Sequence, residues 1–264
     1  MMNLRPALLA FAAPLLLAAC SPKPETTTNP ATAAAAAPAA DCSQLHPYGL
    51  PQTIKTLKRN CEVGFETFVW AEGGIPLIST AYLSPALTNG TELPEQVLRV
   101  DASMPPEAVT NPTLYIEAGY EPGYLVDPGD VKGNASATAA TFQTSNVVPH
   151  NPVLHREAWS ALSIAVRNCA LALGGATVIT GALPGDEFIK QRISVPTALY
   201  KVILNASGYR AFLMTNTDQI RTANLTKFEV SFDTLAKRGA IIAPNWKTTP
   251  RNRKGQLCPG AFGE

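Results

Sequence analysis

The sequence predicts an α+β domain, an antiparallel central sheet with flanking helices. Three observations lead there. Two runs rich in aromatic and β-branched residues, Glu62 to Trp70 and Pro76 to Leu83, flank Gly73-Gly74 and read as a hairpin. Between residues 158 and 173, Trp159, Leu162, Val166 and Ala170 recur at helical spacing, and Gly174-Gly175 ends the run. Three more strand-like runs follow with short turns: Thr177 to Thr180, Ser194 to Leu204 and Arg210 to Met214.

Taken in chain order, residues 1–19 read as an export signal. Arg5 supplies a positive start, and the apolar run Ala7 to Leu17 is too short to span a bilayer. Leu17-Ala18-Ala19-Cys20 resembles a bacterial lipobox, so Cys20 is expected to become the acylated N-terminus of a chain anchored in a bacterial envelope membrane. Ser21 resembles the pattern sorted to an outer membrane, facing the periplasm or the cell surface. Residues 20–40 are rich in Pro, Ala and Thr with almost nothing to bury, and read as a solvated tether. At roughly 3 Å per residue such a tether reaches several nanometres. Residues 41–264, about 220 in number, suit one domain. Within it, 84–112 read as a surface excursion with one short strand at Val97 to Val100, and Phe232 to Arg238 as a closing helix.

Charge and cysteine content narrow the function. The chain has 21 Lys and Arg against 20 Asp and Glu, and loss of Arg5 with the signal brings the balance to zero. No global field steers nucleic acid towards such a domain, so any site for it must be a local patch. Four cysteines remain after the tether: Cys42, Cys61, Cys169 and Cys258. In an exported chain they point to two disulfides, with Cys42–Cys61 and Cys169–Cys258 preferred among three possible pairings. Zinc on cysteine is disfavoured, because no CxxC spacing occurs.

Several segments in fixed order resemble the DNA/RNA non-specific endonucleases, the ββα-metal nucleases. FVWAEGGIPLISTAYLSP is similar to the family's opening strands, and Ser145-Asn146-Val147-Val148-Pro149 to its "SNI.PQ". LHREAWSAL, VITGAL, VPTALYKVIL and FDTLAKRGAIIAPNW follow in the family's order, so the resemblance spans about Cys42 to Trp246. It implies a nuclease scaffold in which a DRGH motif supplies a general base and an Asn holds a divalent metal beside the scissile phosphate.

Carried over residue by residue, the resemblance puts Glu121 at the motif's Asp, Pro122 at its Arg and Tyr124 at its His. His155 falls on the metal-holding Asn, and Ser163 on a Glu farther along the helix. A tyrosine of ordinary pKa, about 10, is a poor base for water at neutral pH, and proline donates nothing to phosphate. The expectation is a tethered nuclease homologue that has lost catalysis and binds a nucleic acid or an envelope protein. The alternative is a divergent endonuclease using Mg, Mn or Zn at Glu121, Tyr124 and His155.

Four local readings stay open. Tyr124 is either a nucleophile or an aromatic filling the imidazole's space. His150 and His155 are two surface histidines, or hold Zn²⁺ or Mn²⁺ with Glu121 or Asp127. Glu121, Asp127 and Asp130 attract a cation, or Asp-Pro-Gly-Asp is turn chemistry. Lys237, Arg238, Lys247, Arg251, Arg253 and Lys254 bind phosphates or lipid headgroups, or form a solvated basic tail.

Overall fold

The structure is a computed structural model that describes residues 41–47, 49–53, 55–91, 96–106, 110–221, 224–240 and 257–263. The signal, Cys20 and the tether lie outside the described residues, as do Lys247, Arg251, Arg253 and Lys254.

β1 (Leu57–Glu62), β2 (Phe65–Trp70) and β3 (Ile75–Leu83) form an antiparallel meander. The run from Glu62 to Trp70, expected as one strand, is broken at Val63-Gly64. Gly64 sits at φ +83, a conformation that suits a residue without Cβ, and the chain reverses there. The expected hairpin is β2 with β3, and β1 is an additional strand outside it. α1 (Pro85–Thr88) and α2 (Thr113–Glu117) are single short turns, the first capped by Ser84. In the expected strand at Val97 to Val100, only Arg99 pairs, through an isolated bridge to Gln143. No longer ladder forms there because Val97 and Val100 are exposed and bury no face.

β4 (Glu121–Tyr124), α3 (Ala135–Thr141) and β5 (Val147–His150) lead to the main helical segment. That segment is α4 (Pro152–Leu154), a π-helical turn (His155–Trp159) and α5 (Ser160–Ala172). β6 (Ala176–Ile189), β7 (Ile193–Asn205) and β8 (Gly208–Thr215) extend the sheet, and α6 (Phe232–Lys237) closes the described domain. The sheet order is β1-β2-β3-β6-β7-β8, antiparallel throughout.

Both faces of the sheet are covered. On one, Ile78, Thr80, Thr177 and Ile179 meet Leu45 and His46 of the N-terminal segment. The other faces α5, whose Leu162, Val166, Cys169 and Ala170 are buried. This explains why β3 is buried almost continuously and does not alternate.

Disulfides Cys42–Cys61 and Cys169–Cys258 form as expected, with Cα separations of 5.8 and 5.6 Å. The first fastens the N-terminal segment to β1. The second ties the tail to α5, where Phe262 stacks on Phe212 and the Arg210 guanidinium lies 4.3 Å from the Phe262 ring centroid.

Candidate functional site

β4 and β5 form a separate two-stranded ribbon with Glu121 opposite His150 and Tyr124 opposite Val147. Pro122 faces Pro149, which removes two amide donors and keeps the ribbon short. Asn216 anchors it to the main sheet: its side-chain carbonyl accepts from the Asn151 amide at 2.7 Å, and its amide donates to the carbonyls of Pro149 and Pro196. Asn151 then caps α4, whose first residue is Pro152. The π turn follows at once, a departure from α geometry that often marks functional positions.

His150 lies under the ribbon, wholly buried, and is not the surface histidine of one sequence reading. A Cβ on Gly123 would come within 2.1 Å of its ring, so only glycine lets the imidazole pack flat against the strand. The ring meets His155 edge-on at 5.2 Å and Trp159 at 5.5 Å between centroids. Among the described residues neither ring nitrogen has a hydrogen-bond partner. Burial, and then the neighbouring His155 and Lys201, push its pKa well below the usual histidine value, so it stays neutral.

Glu121 faces the helix. Its Oε2 lies 2.8 Å from His155 Nδ1, and its Oε1 accepts from Arg156 Nη2. Tyr124 packs edgewise on Phe142 at 5.5 Å. Tyr124, His155 and Ser163 nevertheless line one cavity of about 140 Å³, together with Asp127, Arg156 and Ser160. Asp127 is also in the wall of a second cavity, about 250 Å³, with Lys132, Thr138, Phe142 and Arg167. Arg156, Ser160, Ser163 and Arg167 follow one another at helical spacing and share a face of the helical segment.

The carboxylates of the Asp-Pro-Gly-Asp turn are already engaged. Asp127 accepts from the Gly129 amide at 2.8 Å, and Arg167 bridges Asp127 at 2.6 Å and Asp130 at 2.8 Å. Burial raises the Asp130 pKa, opposed by Lys201 and Arg167. Burial also lowers the pKa of Lys201, which lies 5.2 Å from the Trp159 ring centroid. Glu121 stands apart from this group, so the expected acidic cluster divides into two ion-paired sets. Among the described residues no three of His, Cys, Asp and Glu converge to hold a metal ion. Lys237 ends α6 and Arg238 follows it, the only part of the expected basic patch among the described residues.

Sequence reasoning missed Arg167, Lys201 and Asn216. Arg167 was detectable as the fourth polar residue on the Arg156-Ser160-Ser163 face, and Lys201 as a lone cation in the apolar strand VPTALYKVIL. Asn216 carries no local signal, because its three bonds reach back 65, 67 and 20 residues.

Comparison with known proteins agrees with this architecture. The chain is similar to mitochondrial nuclease EXOG of Danio rerio, 27% identical over 164 residues, covering 54% of this chain and 48% of that protein. It is also similar to mitochondrial endonuclease G of Homo sapiens, 27% identical over 150 residues and 50% of each chain. The chain thus spans about half the length of the curated relatives it matches. A solved structure, "Crystal structure of the EndoG/EndoGI complex: Mechanism of EndoG inhibition", superposes with a TM-score of 0.64 at 20% identity, covering 75% of this chain and 89% of that one. At that identity the likeness speaks for the fold alone. The model of one family, DNA/RNA non-specific endonuclease, matches residues 65–247. Since that match covers more than half of its length, the chain belongs to the DNA/RNA non-specific endonuclease family.

Proposed function

We propose that this protein is a lipid-anchored family member that has lost phosphodiester cleavage and holds a nucleic acid or an envelope protein at the former catalytic face. The anchor reading rests on the lipobox-like Leu17 to Cys20 and on the Pro/Ala/Thr tether after it. The observation that carries the loss of catalysis is the closure of Glu121 onto His155 and Arg156. A carboxylate with both oxygens engaged by cationic or donor groups is a poor ligand for a second cation.

The family is typically dependent on a divalent cation. The residues present do not fit such an ion in the expected place. Asp127 and Asp130 are held by Arg167, His155 has only Nε2 left beyond its contact with Glu121, and Mg²⁺ favours oxygen donors over imidazole. The zero net charge of the mature chain favours a protein ligand over nucleic acid.

The competing reading, a divergent metal-dependent endonuclease, draws support from one fact. Tyr124, His155 and Ser163, three of the motif-equivalent residues, share one cavity wall.

The test is incubation of oxidised residues 41–264 with plasmid DNA and with RNA in Mg²⁺, Mn²⁺, Zn²⁺ or chelator, beside His155→Ala. No cleavage in any metal is expected. Metal-dependent cleavage that disappears in His155→Ala would replace this proposal with the enzyme.

A further inference from the structure

The two edges of the main sheet are finished differently. At β8, the amide of Val230 donates to the Ala211 carbonyl at 2.8 Å and Glu229 bridges Phe212, so the passing chain covers that edge. At β1, no described residue pairs its backbone with the outer side of Leu57 to Asn60. A groove of about 530 Å³ lies against that strand and its neighbour β2, lined by Leu50, Pro51, Lys55, Leu57, Arg59 and Phe68. The carboxylate beneath, Glu66, is buried and shared by Arg59 and His46, so it partly neutralises Arg59 and leaves Lys55 and Lys58 without an ion-pair partner among the described residues.

We propose that the outer edge of β1 and this groove form a docking strip for an extended acidic segment of a protein partner, added as a seventh strand. Edge addition supplies backbone hydrogen bonds, while side-chain alternation supplies selectivity. Leu57 and Arg59 point to the groove side, and Lys58 to the other. A partner strand therefore needs an apolar residue facing Leu57, with a carboxylate two positions to one side facing Arg59 and another two positions to the other side, towards Lys55. A second copy of this chain is the wrong occupant. Antiparallel edge-to-edge pairing centred on this stretch would set Lys58 of one copy against Arg59 of the other, a like-charge arrangement that guards edges against self-association. The same charges select an acidic strand. This surface lies outside the cavities around Tyr124 and His155, so its occupancy is independent of whether those cavities cut anything.

The test uses the mature chain and labelled seven-residue peptides in which Glu and Leu alternate along one face, Glu-Thr-Leu-Thr-Glu-Thr-Leu, read by fluorescence anisotropy and by amide exchange at Leu57 to Asn60. Saturable binding is expected, with slowed exchange on β1. Replacing peptide Glu by Lys, or N-methylating alternate peptide amides, is expected to weaken binding about ten-fold or more. Lys58→Glu and Lys55→Glu should do the same with unchanged circular dichroism. Lys55→Met, which keeps the apolar stem and removes the charge, should give a smaller loss. Absence of binding, equal binding of acidic and basic peptides, or protection that falls elsewhere would each overturn the proposal.

Discussion

The Oε2 of Glu121 lies 2.8 Å from the Nδ1 of His155, although 34 residues separate them in the chain. One residue comes from the short ribbon and the other from the π turn, so the bond ties together the two parts that wall the 140 Å³ cavity. Arg156 completes the pairing from the outer side, with its side chain 73% exposed. The arrangement spends the site's one ribbon carboxylate on intramolecular neutralisation and keeps a cation from facing the cavity alone.

Removing that carboxylate should release the cation. Glu121→Ala is expected to cost about 1 kcal/mol of stability or less, since the Arg156 partner is solvent-exposed. Measured by urea denaturation, a larger loss would mean that the ribbon depends on the pairing. The same variant should bind duplex DNA more tightly than the parent, with the plot of log affinity against log salt steeper by about 0.9, the increment for one further phosphate neutralised. An unchanged slope would show that Arg156 does not reach phosphate.

Gly123 is expected to be intolerant of even one methyl group. Its built Cβ would fall 2.1 Å from the His150 ring, which is buried between the strand and the His155 and Trp159 rings and has nowhere to retreat. Gly123→Ala should lower stability by about 1–3 kcal/mol, the usual cost of overpacking a closed site. A neutral result in chemical denaturation would mean that the ribbon shifts as a unit.

His150 should make the fold sensitive to mild acid. Its pKa in the folded chain is pushed well below 6.5 by burial, with His155 and Lys201 adding to the effect. Below about pH 6.5 the unfolded chain therefore takes up a proton that the native chain refuses, and stability falls as pH falls. The slope approaches about 1.4 kcal/mol per pH unit for this one group. Glu66, whose pKa is lowered through His46 and Arg59 despite burial, loses its contribution only in the more acidic carboxylate range. Between pH 6.5 and 5, His150→Gln should flatten the decline in urea midpoint. An equal decline in the variant would assign the sensitivity elsewhere.

Strands β2, β3, β6, β7 and β8 were legible because each carries its own local pattern, and Trp159, Leu162, Val166 and Ala170 announced the helix by spacing alone. β1 was hidden by its exposed Lys58 and Arg59, which bury no face, and β4 by Pro122 and Gly123, residues that oppose strand formation in isolation. The candidate site was legible only through order: the resemblance placed Glu121, Tyr124, His155 and Ser163 in separate motifs, and the structure brings Tyr124, His155 and Ser163 to one cavity and pairs Glu121 with His155. That Glu121 would turn to Arg156, and that His150 would be buried, depends on long-range packing against Gly123 and Trp159. No window of sequence contains that information.

The two disulfides should differ in what they contribute. Cys42–Cys61 closes a loop with a separation of 19 residues, Cys169–Cys258 one of 89. Loop-closure entropy then gives the longer link an advantage of about 1.4 kcal/mol. The longer bond also holds the only described segment that covers Phe212 and Arg210 from the C-terminal side: Phe262 stacks on Phe212 at 4.9 Å, and Leu257 accepts from Arg210 through its carbonyl. Releasing the tail uncovers Phe212 and removes the nearer ring contact, to Phe262, from the buried Arg210, while Phe212 and Glu229 still adjoin the guanidinium. Paired Cys169→Ala and Cys258→Ala should therefore lower Tm by more than paired Cys42→Ala and Cys61→Ala, and should add limited-proteolysis sites at the C-terminus. Equal losses would mean that the tail stays docked by Phe262 alone, and that the disulfide acts on the unfolded chain and not on the packing around Arg210.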